Sequence, residues 1–209
     1  TVGTKWTFWY GPSDVTSNVL IRNNDGTNTR QLGIVKRGSG TLTLTNNSNN
    51  ATANLSVDSG KLVLNNTGTY GGRNDDGSTN TGLTALVGNT TAANGVLEIN
   101  GATVNYNNRS TAGTEAYRST LTVGNTTGGA GAVKLTSGSL NTNMQLALGW
   151  TGTAFGAMTQ TGGTSTVGGF IVLGLGTSQG VLNFSGGTLN HNGPLTNGTN
   201  PGGIGVMNL

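Results

Sequence analysis

The chain has 209 residues, with 10 lysines and arginines against 7 acids and a formal net charge of +3. Only 8% of its residues are charged and none is cysteine, which rules out a disulfide framework or a thiolate metal site. No basic cluster extends beyond Lys36-Arg37, so nucleic acid is not an expected partner. No run of 18 apolar residues is available to span a membrane as a helix.

Glycine, threonine and asparagine make up about half of the chain, and 33% of it is hydrophobic. That balance suits a thin core beneath a large polar surface.

Residues 1–32 differ from the rest. Four of the chain's aromatics, Trp6, Phe8, Trp9 and Tyr10, fall within six residues, followed by a Gly11-Pro12-Ser13-Asp14 turn and a Val19-Leu20-Ile21 apolar run. The expectation is an N-terminal cap or a docking segment toward a neighbouring subunit. The alternative is a surface on which sugars stack.

Residues 33–65 contain Lys36, Gly38 and Gly40, then Thr-Leu-Thr-Leu to Leu44, a polar spacer at 46–53, and Gly60-Lys-Leu62-Val-Leu64-Asn65. This text resembles the autotransporter-associated β-strand repeat of bacterial surface proteins. There, a Lys-x-Gly-x-Gly-Thr-Leu-Thr-Leu run precedes a spacer and Gly-x-Leu-x-Leu-Asn. The spacer here lacks the Tyr and Gly-Gly usual in that family. The resemblance covers about 33 residues. It implies a passenger-type β-helix carried to the cell surface, and it brings no catalytic residues.

Residues 66–82 are expected to form a loop. It holds the adjacent acids Asp75 and Asp76 with Asn74, Ser78 and Asn80 nearby. A solvated turn is expected, with a calcium site as the alternative.

From residue 83 the chain repeats. Gly88-Asn-Thr-Thr recurs as Gly124-Asn-Thr-Thr, and Gly95, Leu97, Ile99 and Val104 match Gly131, Val133, Leu135 and Leu140 at a constant offset. Beyond 121 the offset shortens. Gly124, Gly149 and Gly174 each end an apolar run; Gly131, Gly156 and Gly180 each open one; Gly138, Gly163 and Gly187 form a third column. A fixed period of this kind signals a solenoid. The runs are short, alternate apolar with small polar residues, and favour Val, Leu, Ile, Thr and Phe, so they are strands. The predicted fold is all-β: a right-handed parallel β-helix with three short strands per turn of roughly 25 residues, occupying 33–209. An antiparallel sandwich would give no reason for in-phase columns.

The longer offset of the earlier unit implies an insertion within 105–120, containing Tyr106, Arg109, Glu115, Tyr117 and Arg118. Solenoid insertions emerge as loops on one face, so these five residues are the candidate ligand loop. A plain surface loop is the competing expectation. At the C-terminal end, 191–203 is expected to be a loop around the single histidine, His191. Residues 204–209 should then form the first strand of a further turn. Ile204, Val206, Met207 and Leu209, with Trp6, Phe8, Trp9 and Tyr10, are the candidate assembly residues. An open strand edge is a pairing template.

Catalytic chemistry is not expected. His191 has no acid near it in sequence, Asp75 and Asp76 would point to opposite faces of a strand, and Glu98 between Leu97 and Ile99 should face solvent. Polysaccharide lyases that are β-helices combine several acids with Lys or Arg bases, and too few acids are available here. No cofactor or metal ligand set is expected.

The expected function is therefore non-enzymatic: an extracellular or cell-surface bacterial structural or adhesive β-helix. Its partners would be further copies joined end to end, or the rest of a longer parent chain. The alternative is polysaccharide binding or degradation of a surface glycan through the 105–120 loop and aromatics such as Trp150. Ice binding ranks last, because Thr122, Thr136 and Thr159 do not share one column.

Overall fold

The computed structural model describes residues 5–22, 32–51, 55–71, 84–91, 94–106, 120–198 and 201–209. Those residues are all strand, turn and corner, without a helix, and every strand pairing among them is parallel. The molecule is a parallel β-helix.

Eight rungs stack in chain order. The first has β1 (Lys5–Tyr10) and β2 (Val15–Ser17), and the second β3 (Leu32–Arg37), β4 (Thr41–Leu44) and β5 (Asn50–Ala51). The third has β6 (Leu55–Val57), β7 (Gly60–Asn65) and β8 (Thr69–Tyr70). The fourth and fifth have β9 (Thr84–Val87) with β10 (Asn94–Tyr106), and β11 (Thr120–Val123) with β12 (Ala130–Thr142). The sixth has β13 (Gln145–Leu148), β14 (Phe155–Gln160) and β15 (Thr164–Val167). The seventh has β16 (Phe170–Leu173), β17 (Gln179–Phe184) and β18 (Thr188–His191), and the eighth β19 (Leu195–Asn197) and β20 (Ile204–Asn208).

The first strand of each rung joins an 8-stranded sheet running β1-β3-β6-β9-β11-β13-β16-β19. The second joins the parallel ladder β2-β4-β7-β10-β12-β14-β17-β20. A third ladder runs β5-β8-β10-β12-β15-β18. In β10 and β12 the second and third strands merge into one 13-residue strand bent at a register shift after Ile99. At about 4.8 Å per rung, the eight rungs make a rod of roughly 34 Å between end strands.

The period-two pattern is what buries one side of each strand. Leu42, Leu62, Leu97, Val133, Met158, Leu182 and Met207 stand in one interior column, each in register with the next. Val57, Val87, Val123, Leu148 and Leu173 form part of another. All but Met207, which packs against the core, are fully buried or nearly so. Each such side chain contributes about 1.5–3 kcal/mol by burial. At β11, β13 and β16 the first sheet is buried on both faces, since Thr122, Ala147 and Val172, on the opposite side from Leu121, Leu146 and Ile171, are buried too.

The corner between first and second strands turns at the first glycine column. Gly124 has φ +71°, and a Cβ there would sit 2.1 Å from the Phe155 carbonyl oxygen of the next rung. That position accepts no side chain for two separate reasons, conformation and space.

The larger polar groups in the core are paired, whereas the buried Thr142 hydroxyl has no hydrogen-bond partner among the described residues. Gln160 takes the interior position held by Leu135 one rung earlier. Its Nε2 donates to the Gly163 and Thr188 carbonyls, while its Oε1 accepts from the Ser165 hydroxyl at 2.6 Å. Near the other end, Asn49 and Asn66 both donate to the Tyr70 hydroxyl, at 2.8 and 2.9 Å.

Several expected boundaries move. Residues 5–17 continue the coil, because β1 pairs with β3 and β2 with β4. The expected loop at 66–82 contains strand β8, held by pairing to β5 and β10, with Asn66 and Tyr70 buried. The insertion expected within 105–120 starts after Tyr106, because Asn105 and Tyr106 stay in register with Asn141 and Thr142. The expected C-terminal loop at 191–203 begins on the last residue of β18 and contains β19. Leu195–Asn197 pairs with β16 and is the first strand of the last rung, so Ile204–Asn208 is its second strand, pairing with β17. The short Leu195-Thr-Asn run, flanked by Pro194 and Gly198, carries too little apolar alternation to be seen in the sequence.

Candidate functional site

The ligand-loop candidates separate at once. Tyr106 is a core residue and not part of a loop: it is fully buried, and its hydroxyl donates to the Leu55 carbonyl at 3.1 Å. Burial raises its phenol above the usual range. Tyr70 is likewise raised, first by burial, against the opposing effect of its bonds from Asn49 and Asn66. Tyr106 therefore offers no surface to a ligand. Arg109, Glu115, Tyr117 and Arg118 lie outside the described residues, as do Asn74, Asp75, Asp76, Ser78 and Asn80 of the calcium alternative. Trp150 is half-buried at the corner after β13.

Of the assembly candidates, Trp9 and Met207 pack against the core, while Ile204, Val206 and Leu209 are exposed. Trp6, Phe8 and Tyr10 lie in β1 at the register positions of Gly33, Val35 and Arg37. Phe155, Ile204 and Val206 stand on the outer side of the second ladder, in columns shared with Gln179 and Val181.

The described acids serve contacts within the fold. Asp14 accepts the Thr41 backbone N–H at 2.7 Å, the main reason its carboxyl is held below the ordinary range. Asp58 pairs with Arg37. Glu98 lies on the outer face, as its sequence position predicts, with Lys61 at 2.7 Å and Lys134 at 3.8 Å. Its pKa is lowered, first by the Lys61 hydrogen bond. Among the described residues no three His, Asp or Glu side chains gather to hold a metal. His191 ends strand β18 rather than sitting in a loop, and its Nε2 lies 2.9 Å from the Gly169 carbonyl, so that nitrogen carries the proton and donates.

Lys36 is the feature that motif reading named without assigning it a place. It is fully buried, in the interior position that Val57 fills one rung later. Its ammonium donates to the Gly38 and Arg37 carbonyls at 2.7 and 2.9 Å and reaches the Ser59 carbonyl at 3.5 Å. The lysine thus closes the corners of the second and third rungs from inside. Burial lowers its pKa. The other motif residues serve the same end: Leu42, Leu44, Leu62 and Leu64 are core, and Gly38 and Gly60 turn the corners.

The third ladder carries the most regular outward surface. Thr69, Thr103, Ser139, Thr164 and Thr188 are successive register partners. Two residues on, Asn105, Asn141, Thr166 and Asn190 form a second rank. All are half-exposed or exposed, while the alternate residues point inward. Spacing is about 4.8 Å between rungs and about 6.6 Å between ranks. Asn141 donates to Asn105 at 2.8 Å and Ser139 to Thr103 at 3.3 Å. The side chains of Thr164, Thr166, Thr188 and Asn190 make no hydrogen bond among the described residues, although the Thr188 backbone carbonyl accepts from Gln160. Thr122 and Thr159 stand in other columns, aligned with Ala147 and Asn183. The ranks escape sequence inspection because their members are separated by unequal lengths of chain; only the register of the flanking core columns aligns them.

Comparison of the chain with sequence-family profiles, with curated proteins and with solved structures found no match.

Proposed function

We propose that this chain is a non-enzymatic structural or adhesive β-helix displayed outside a bacterial cell, either as a segment of a longer passenger or as a unit that stacks end to end. The observation that carries the reading is the use of the chemistry-bearing residues. Asp14, Asp58, Glu98, Lys36 and Gln160 all spend their polar groups on corners, ladders and core. Residues 33–65, which resemble the autotransporter-associated repeat, place each matched residue in rung construction, which supports reading that motif as architecture. The outward face of the third ladder is uncharged hydroxyl and amide among the described residues, suited to hydrogen bonding with other surfaces.

The eighth rung presents strand edges β19 and β20, each paired on one side only among the described residues. An open parallel edge accepts a further strand, supplied by the same polypeptide or by another copy. Contacts of that head-to-tail kind make filaments when they do not close.

Negative-stain electron microscopy of untagged protein, with sedimentation velocity over a wide concentration range, tests the reading. Rods or filaments of uniform width support it. Compact particles without an elongated axis refute it. Short rods that stay monomeric at high concentration leave the structural role and remove self-assembly.

A further inference from the structure

We propose that the outward face of the third ladder binds a neutral, linear polysaccharide laid along the rod axis across its ranks. The inference rests on the reading of the chain as an adhesive extracellular rod and names the ligand class that reading lacks.

Charge is the first argument. Among the described residues no charged side chain stands on this face from Asn50 through Thr188 and Asn190; Arg22 meets it at its N-terminal end, through a bridge to Asn50. The described ion pairs, Arg37–Asp58 and Glu98 with Lys61 and Lys134, belong to a corner and to the second ladder. Within the described ranks an anionic or cationic polymer finds nothing to neutralise it, whereas a neutral one loses nothing.

Hydrogen-bonding capacity is the second. A sugar hydroxyl both donates and accepts, and so do Thr, Ser and Asn side chains. In the Asn105–Asn141 pair, the ladder bond uses one amide proton and one carbonyl, leaving the Asn141 carbonyl and the Asn105 amide group for a ligand. The ladder bonds also fix these rotamers in advance, reducing the ordering cost of binding. Thr164, Thr166, Thr188 and Asn190 keep their full capacity among the described residues.

Geometry is the third. The first rank from Thr69 to Thr188 crosses five rungs, about 19 Å at the ladder spacing. A polymer with regularly repeated hydroxyls engages successive rungs, so weak single contacts act together. The ranks are mixed rather than uniform, with Ser139 among threonines and Thr166 among asparagines. That mixture suits a ligand whose hydroxyls tolerate either partner better than it suits a crystalline lattice demanding one group at every site.

The test is retention of the full chain on insoluble cellulose, chitin, mannan and dextran matrices, with alginate as an anionic comparison. Ser139→Arg and Thr166→Arg place bulk and charge on the face at outward positions; Thr159→Arg does the same on the second ladder. Circular dichroism and electron microscopy establish that each variant keeps the rod. The expected result is retention on at least one neutral matrix, weakened ten-fold or more by Ser139→Arg and Thr166→Arg and unchanged by Thr159→Arg. No retention on any neutral matrix, retention on alginate alone, or retention indifferent to the rank variants overturns the proposal. Thermal hysteresis of ice growth without polysaccharide retention also overturns it and reassigns the face to ice. A chain that remains a rod but binds nothing refutes this proposal alone; a chain that is not a rod refutes the underlying reading.

Discussion

Two glycines with the same backbone conformation separate what a corner costs from what stacking costs. Gly124 has φ +71° and Gly128 has φ +72°. An alanine at either pays for a left-handed conformation, about 1–2 kcal/mol. At Gly128 nothing lies within 4 Å of the added methyl, so that is the whole effect. At Gly124 the methyl would lie 2.1 Å from the Phe155 carbonyl oxygen and 2.5 Å from its carbon, both backbone atoms of the next rung. Since these atoms belong to the ladder, the rungs must part, adding about 1–3 kcal/mol of overpacking. Gly128→Ala should therefore lose about 1–2 kcal/mol, and Gly124→Ala about 2–5. Urea unfolding followed by circular dichroism reads the difference. Equal losses, or a larger one at Gly128, would refute the stacked-corner geometry.

Other consequences follow from the buried and paired groups. Tyr70 and Tyr106 have phenols raised by burial, so the unfolded chain loses those protons first. Their contribution is whole below pH about 10 and falls by up to about 2.7 kcal/mol per pH unit above it. Absorbance titration should show at least two of the four tyrosines ionising only with cooperative unfolding; smooth ionisation of all four with an unchanged circular dichroism spectrum would contradict the burial of Tyr70 and Tyr106. Lys36 has the opposite sign: its pKa is lowered by burial, so between that value and about 10.5 the unfolded chain holds more protons and stability rises with pH. Lys36→Met should remove this rise, seen by comparing urea midpoints of the two chains from pH 7 to 10, and an identical pH dependence would show that Lys36 is solvated. Glu98→Gln should cost only about 0.2–1 kcal/mol, because its pairing is near the surface, and should lessen acid destabilisation, since a carboxylate with a lowered pKa loses its contribution as pH falls. A loss above 2 kcal/mol on the same urea assay would mean that the Lys61–Glu98–Lys134 cluster is far less solvated than described.

The sequence disclosed the coil wherever glycine columns and apolar alternation keep a common offset. Gly95, Leu97, Ile99 and Val104 do pair with Gly131, Val133, Leu135 and Leu140. It failed where a strand is too short to alternate, as at Thr69–Tyr70 and Leu195–Asn197. It also failed where a polar residue stands in an apolar column, as Lys36 and Gln160 do, because the carbonyls that accept from them leave no trace in composition. Tyr106 looked like the start of an insertion since its rung mate is Thr142, which gives no aromatic or aliphatic match. The outward ranks were hidden for a third reason: Thr and Asn are so abundant that only three-dimensional register singles out those in line.

Both the structural reading and the polysaccharide proposal depend on one rung being added per turn in parallel register, and pulsed electron–electron spin resonance measures that directly. The chain has no cysteine, so two introduced cysteines carry the only spin labels. Thr43, Thr159 and Asn208 stand outward in one column, through Val63, Glu98, Lys134 and Asn183. Four rungs separate Thr43 from Thr159 and six separate it from Asn208, giving about 19 Å and about 29 Å. Backbone-to-backbone distances of that size and ratio are what the parallel coil predicts. A Thr43–Asn208 distance equal to or shorter than Thr43–Thr159 would contradict it.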